Sequence, residues 1–401
     1  MSSQATLLRG LTETTPLLRG NAAFSAAGLA AAEIAASGLV GSAFVHGGAL
    51  TLPTIRALAG ATFSVLLPMF LFTSVLQTAA SAGHGRGSVG VLSAPLAAIG
   101  HAFVVFVLSR SVLFPALGVD YEMLEGRSLA VCCAFGNAGT IPFIFAEALF
   151  RTRPDVLAEC YAQMSLFLVG GTLFFWSFGR RVMLPDADVA SGDRTAGLWR
   201  YLTRMCPPPV VGTVTGLAVA ATPLRTLFVS PAGASGTPAL WALYNSLLTF
   251  GRAANPLALL VLVASLAIGA GVGHKNPVNP LPPAPVMTAD AAVPPGPLSL
   301  RRLACVAVAR SFVSPLAMLG ILSLLLKANL VGAPQENPTQ WFVLLLESAV
   351  PPAQNVVLML QVAGRGEEAG ELAKLLLRSY AISAVPLILI VTVALTSLGL
   401  A

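Results

Sequence analysis

Ten stretches of mostly apolar residues, each long enough to cross a bilayer, limit what this chain can fold into. A membrane-spanning helix needs about 20 such residues. On that measure the stretches fall at 22–45, 57–79, 89–115, 127–149, 161–182, 207–228, 238–270, 299–326, 339–362 and 373–398. They are rich in Ala and Leu and do not alternate apolar with polar residues, which excludes the strands of a membrane barrel. Charged residues make up 10% of the 401, against about 25% in soluble domains. The fold class expected is therefore an all-α polytopic membrane protein of about ten transmembrane helices, with the lipid bilayer as its surroundings.

The polar segments between the spans set the organisation. Residues 1–21 form a polar N-terminal tail without the apolar centre of a signal peptide. The tail repeats Leu-Leu-Arg-Gly at 7–10 and 17–20, and Glu13-Thr14-Thr15-Pro16-Leu17-Leu18 fits an acidic dileucine sorting signal. A central loop over 183–206 carries Asp186, Asp188, Asp193 and Arg194. A Pro-rich loop over 271–298 is expected to be extended, because closely spaced prolines exclude helix.

Lys and Arg are about twice as numerous in the loops after odd-numbered spans as in the others. By the positive-inside rule the central loop is cytosolic and both termini lie on the opposite side. The dileucine reading needs the reverse orientation. The net charge of +6 thus reads as topology, not as the clustered basic stripe of a nucleic-acid binder. The five cysteines show no zinc spacing and the four histidines are scattered, so no metal or cofactor is expected. Catalytic patterns such as H-E-x-x-H and G-x-S-x-G are absent, and no enzyme is expected.

The central loop divides the spans into two sets of five, 22–182 and 207–401. An odd number per repeat forces inverted topology. Leu67-Pro68-Met69-Phe70-Leu71 in span 2 matches Asn255-Pro256-Leu257-Ala258-Leu259 in span 7. Gly136-Asn137-Ala138-Gly139-Thr140-Ile141-Pro142 in span 4 matches Ala349-Val350-Pro351-Pro352-Ala353-Gln354-Asn355 in span 9. The second match is offset further along the chain, as the long 271–298 loop requires.

Spans 4 and 9 both carry proline beside small residues near mid-membrane. Proline removes a backbone donor and clashes with the preceding turn. In lipid the freed groups must find partners in the protein or in a wet cavity. Two broken helices at matching places point to a transporter site. Half-helix N-termini offer free N–H groups and positive partial charge, which suit an anion. Gly136, Asn137, Pro142, Pro351, Pro352, Gln354 and Asn355 are the candidate substrate-binding residues at these breaks.

These residues resemble a known family. Cys132-Cys133-Ala134-Phe135-Gly136-Asn137-Ala138-Gly139 is similar to the C-C-A-x-G-N-x-G stretch of the PIN-LIKES branch of the auxin efflux carriers. Span 9, from Phe342 through Leu344-Leu345-Leu346 to Pro351-Pro352-Ala353-Gln354-Asn355, resembles that branch's L-L-x-x-A-x-P-P-A-x-N stretch. Pro207-Pro208 and Arg310 also fit. The resemblance implies two inverted five-helix repeats whose fourth and ninth helices cross as broken helices. It further implies transport of auxin-like indole carboxylates in the endoplasmic reticulum membrane, with a vacuolar, endosomal or plasma membrane as the alternatives. Span 7 departs from the pattern, with Arg252 where the family has an acid.

Charges within the apolar runs add candidates. Arg252 and Arg310 are read either as anion-attracting groups or as partners for a glutamate. Glu147 and Glu347 are read as reaching the interface from span ends. Glu33, among alanines, suits close helix packing, with a homodimer contact as one candidate. His101 is read as a satisfied interior histidine, with proton exchange as the alternative. Phe143, Phe145, Phe167, Phe174 and Trp176 are aromatic candidates to clasp an indole ring. The expected partner is a small organic anion, carried by alternating access. A sodium-coupled carrier of bile-acid-like anions and a membrane-embedded ligand sensor are the alternatives.

Overall fold

The computed structural model describes residues 16–81, 89–184, 208–230, 236–269, 297–363 and 365–400. Most of the two long loops, and Glu13–Thr15 of the dileucine signal, lie outside them. Among the described residues the secondary structure is helical, with no named strand.

The first half comprises α1 (Pro16–His46), α2 (Leu52–Ala61), α3 (Leu67–Ser81), α4 (Val89–Leu108), the single turn α5 (Phe114–Leu117), α6 (Leu124–Ala134), α7 (Ile141–Phe150), α8 (Pro154–Phe174) and the turn α9 (Arg180–Met183). The second half comprises α10 (Pro208–Ala220), the turn α11 (Arg225–Phe228), α12 (Trp241–Arg252), α13 (Ala254–Gly269), α14 (Pro297–Val308), α15 (Ser314–Lys327), α16 (Pro338–Ala349), α17 (Asn355–Val362) and α18 (Gly366–Ser397). Among the described residues, five helical stretches are long and apolar enough to cross a membrane: Pro53–Gln77, Leu92–Leu117, Pro154–Met183, Leu300–Lys327 and Glu368–Ser397. They coincide with expected spans 2, 3, 5, 8 and 10.

The other expected spans differ in detail. α1 starts at Pro16, within the stretch read as a polar tail ending at 21, because a proline at the first helical position is preorganised for helix and loses no bond there. Span 7 is two helices, α12 and α13, broken at Ala253. Span 6 contains the short α10 followed by a turn. α18 begins seven residues before the expected start at 373. Its first turns carry exposed, charge-paired residues, Arg365 with Glu368 and Glu371 with Lys374, that lengthen the helix beyond its apolar part.

Of the four π-helical turns among the described residues, Thr62–Leu66, Ser109–Leu113 and Ala309–Val313 each end two residues before a proline, Pro68, Pro115 and Pro315, and Phe175–Gly179 does not. A proline ring clashes with the carbonyl one turn back, and a widened i→i+5 turn relieves that clash while keeping the helix continuous. Two of these turns repeat one sequence pattern, Arg110-Ser111 then Pro115 and Arg310-Ser311 then Pro315, 200 residues apart (310 − 110).

Glycines set the closest helix contacts. A Cβ on Gly212 of α10 would meet the backbone of Pro68 in α3, and one on Gly170 of α8 would lie 2.8 Å from the Cα of Pro95 in α4. Small residues let helices approach in this way where no hydrophobic force drives helices together. The apolar interior falls into clusters. One gathers Phe143, Phe145, Phe150 and Phe342 around α7 and α16. Another gathers Leu129, Phe135, Cys305 and Val356 around α6 and α17.

Gly170→Val is expected to destabilise the protein by about 1–3 kcal/mol, the cost of overpacking against rigid backbone. A thermal unfolding scan in detergent reads this as a lowered midpoint. Gly320→Ala, whose Cβ meets nothing within 4 Å, leaves the midpoint unchanged or raised.

Candidate functional site: a crossing of two broken helices

Spans 4 and 9 are interrupted at their prolines. Span 4 is α6 and α7 with non-helical residues 135–140 between them, the last three in a turn, and span 9 is α16 and α17 with residues 350–354 between them. The two breaks cross. Gly136 and Pro352 form an antiparallel bridge. The Asn137 N–H donates to the Pro351 carbonyl at 2.7 Å, and the Ala353 N–H donates to the Phe135 carbonyl at 2.9 Å. Each break supplies the partner that the other lacks, which is how non-helical backbone persists at membrane depth.

Pro142 lies not in the break but in the first turn of α7, where it starts a helix at no cost in hydrogen bonds. Pro351 and Pro352 lie in the break itself and are buried. Val350, just before Pro351, is extended at ψ 150°, as a residue preceding proline prefers.

Arg310 fastens the crossing. It is 1% exposed. Its Nε and Nη2 donate to the Val350 carbonyl at 2.9 and 2.6 Å. It also reaches the carbonyls of Glu347 and Cys133, each at 3.5 Å. These oxygens belong to the C-terminal ends of α16 and α6, where helix dipoles leave unpaired carbonyls and negative partial charge. One guanidinium thus serves two helix ends. Its fit explains Gly136, where any Cβ would strike Arg310 Nη2 and lie 2.8 Å from Val350 Cγ2.

Two further ties hold the crossing. Asn137 Nδ2 donates to the Tyr380 hydroxyl at 2.9 Å, which in turn donates to the Pro352 carbonyl at 2.9 Å. Ser314 Oγ donates its one proton to the Ser348 carbonyl at 2.6 Å. The 2.8 Å contact of His101 Nε2 with that hydroxyl is therefore donated by the imidazole, which fixes its tautomer. His101 is the satisfied interior histidine expected from the sequence.

Beside the crossing lies a cavity of about 830 Å³, within the range of small-molecule sites. Gly136, Asn137, Gln354 and Asn355 line it, with Thr140 just before α7 and Asn355 at the start of α17. Of the aromatic candidates, Phe167 and Trp176 line the cavity, joined by Phe63, Phe135 and Phe175. Phe143 and Phe145 are buried in the α7–α16 cluster, and Phe174 stacks on Phe178.

The remaining candidates are placed differently. Arg252 ends α12, is exposed and does not line the cavity. Glu147 is exposed and accepts a long bond from Tyr161, at 3.5 Å. Glu347, read as interfacial, is corrected: it is 1% exposed and belongs to the cavity wall. The break after Ala349 ends its helix inside the protein, so the apparent span end is an interior position. Tyr380 and Thr62 were not singled out by sequence. Tyr380 sits in an apolar stretch where a tyrosine reads as packing or an interface anchor, and no local signal marks it.

Among the described residues, helices of membrane length and two broken helices crossing beside a cavity mark a membrane-embedded protein. No protein-family profile matches the chain. It is similar to two curated proteins of Arabidopsis thaliana, 24% identical to Protein PIN-LIKES 1 over 297 residues and 22% identical to Protein PIN-LIKES 3 over 302. The matches cover 64% of this chain, and 56% and 69% of the two relatives, so little more than half of the first relative is spanned. These are the proteins that the motifs of spans 4 and 9 resemble.

Tyr380→Phe removes one donor and one acceptor at the crossing and is expected to cost about 1–3 kcal/mol. Arg310→Met leaves the helix-end carbonyls without their cation and costs more than Tyr380→Phe. Both are read from unfolding midpoints and from monodispersity in detergent.

Proposed function

We propose that the chain is a membrane carrier of a small organic anion, an auxin-like indole carboxylate, and not an enzyme. The crossing beside an apolar, aromatic-walled cavity is the observation that carries this reading. The cavity is of a size to hold an indole ring against Phe167, Phe175 and Trp176. Asn137, Gln354, Asn355 and the N-terminal turns of α7 and α17 offer neutral donors for a carboxylate. The similarity to the two PIN-LIKES proteins supports the family resemblance from which the substrate class and an endoplasmic-reticulum membrane are inferred.

The architecture inferred is two inverted five-helix repeats, 22–182 and 207–401. Three observations support it. Spans 4 and 9 break at matching places. α6 with α17 and α7 with α16 fall in separate apolar clusters, as half-helices of opposite direction do. The Arg-Ser π turns of spans 3 and 8 carry the same pattern. Transport then proceeds by alternating access, the helices around the crossing moving against the others.

Uptake of radiolabelled indole-3-acetate into liposomes containing the purified protein tests the reading. Saturable uptake is expected, lowered about tenfold or more by Asn137→Ala and by Asn355→Ala, as loss of a hydrogen bond to a charged group implies. Uptake that appears only with sodium would favour a sodium-coupled carrier. Binding without uptake, across a panel of organic anions, would favour a sensor.

A further inference from the structure

Among the described residues Glu347 is the one carboxylate in the cavity wall, His101 is the other titratable side chain there, and no lysine or arginine lines it. Glu347 is 1% exposed. Neither carboxylate oxygen has a hydrogen-bond partner. Its backbone is held by the crossing, because its carbonyl receives Arg310 Nη2 at 3.5 Å. Arg310 is the nearby cation, but its guanidinium is turned to the carbonyls of Val350, Glu347 and Cys133 rather than to the carboxylate.

The other titratable groups on elements packed against α16 are engaged or remote. His101 of α4 is bonded to Ser314. Tyr380 of α18 is bonded to Pro352 and Asn137. Tyr161 of α8 bonds Glu147 of α7, while Cys160 is a buried thiol and Glu159 has interactions of its own. Lys327 ends α15, and on α18 Glu368, Glu371, Lys374 and Arg378 lie in or beyond the charged first turns. Among the described residues, then, an anion entering the cavity meets an acid whose oxygens no donor satisfies, with the Arg310 guanidinium as the one cation acting on it, and not in contact with it. Two carboxylates sharing one enclosed site do not both stay ionised.

We propose that Glu347 is a proton site of the carrier, so that the cavity takes up an organic anion together with one proton. As the anion enters, an O–H bond forms at a Glu347 carboxylate oxygen with a proton from solvent, and the charge of the site is unchanged. When the anion leaves, that proton returns to solvent. This rests on the anion-carrier reading and adds coupling to it. By linkage, each ligand strengthens the other's binding, so the affinity for the anion rises as pH falls, by up to tenfold per pH unit.

The test uses the full chain in nanodiscs and indole-3-acetate as the probe. Equilibrium binding from pH 5.5 to 8 is expected to tighten toward low pH in the wild type and to lose that dependence in Glu347→Gln. A variant that keeps the wild-type pH dependence overturns the proposal, since the probe's own titration then explains it. Calorimetry on the wild type in two buffers of different ionisation enthalpy should give about one proton taken up per anion bound; no proton taken up overturns it, whatever the variant does. If indole-3-acetate does not bind at any pH, the substrate reading fails separately. Infrared difference spectra of the ligand-free protein then decide. A protonated-carboxyl band that titrates in this range, and is missing from Glu347→Gln or shifted in Glu347→Asp, supports the proton site, and the absence of any titrating band overturns it.

Discussion

The two backbone hydrogen bonds exchanged between residues 135–137 and 351–353 govern the architecture around them. A helix broken inside a membrane leaves carbonyls at one end of the gap and N–H groups at the other, and lipid satisfies neither. Here each break lends the other an edge to pair with, as in a two-residue piece of sheet. That pairing covers only the middle of each gap. The carbonyls ending α6 and α16 converge at the crossing, and two negative helix ends would repel without a cation between them. Arg310 fills that place, and Gly136 leaves it room. At the N-terminal ends of α7 and α17, Thr140, just before α7, and Asn355, the first residue of α17, are at the cavity.

The same constraint divides the interior. Because the breaks cross, α7 packs with α16 on one side and α6 with α17 on the other, each pair inside its own apolar cluster. The continuous helices then frame the crossing. α4 is tied to α15 through His101 and Ser314, and to α16 through Ser93 and Gln340. α18 is tied to both breaks through Tyr380. Pro68, Pro115 and Pro315 are absorbed by π turns, and Pro95 and Pro386 lie within unbroken helices, so the gaps in spans 4 and 9 follow from two adjacent prolines and from glycine flanking, not from proline alone.

Much of this was legible in the sequence because it rests on patterns local to the chain. Apolar runs located the membrane-length helices, and Gly136-Asn137 with Pro351-Pro352 marked the breaks. Helix starts were less legible. Pro16 and Gly366 begin helices on polar residues, where hydropathy carries no signal. Pro142 reads as a breaker but acts as a starter. The partners of the crossing were the least legible, since Tyr380 lies 243 residues from Asn137 and only the fold joins them. Glu347 misled because an acid followed four residues later by a proline pair looks like a span end, while here it leads into the interior gap.

The two arginines of the Arg-Ser π turns argue that matching halves need not do matching work. Arg310 is buried against the helix ends of the crossing, whereas Arg110 is exposed and lies over the Tyr121 ring at 4.2 Å. Both π turns answer the same proline, so the turn itself requires neither arginine. What separates them is where each helix sits relative to the crossing, and only one position faces convergent carbonyls. A guanidinium held by three carbonyls is not free to reach the cavity, whose described wall carries no lysine or arginine and offers amides and helix N-termini. Of the two titratable side chains in that wall, His101 is held by Ser314, so Glu347, with no donor on its oxygens, is the one on which the charge of the site turns.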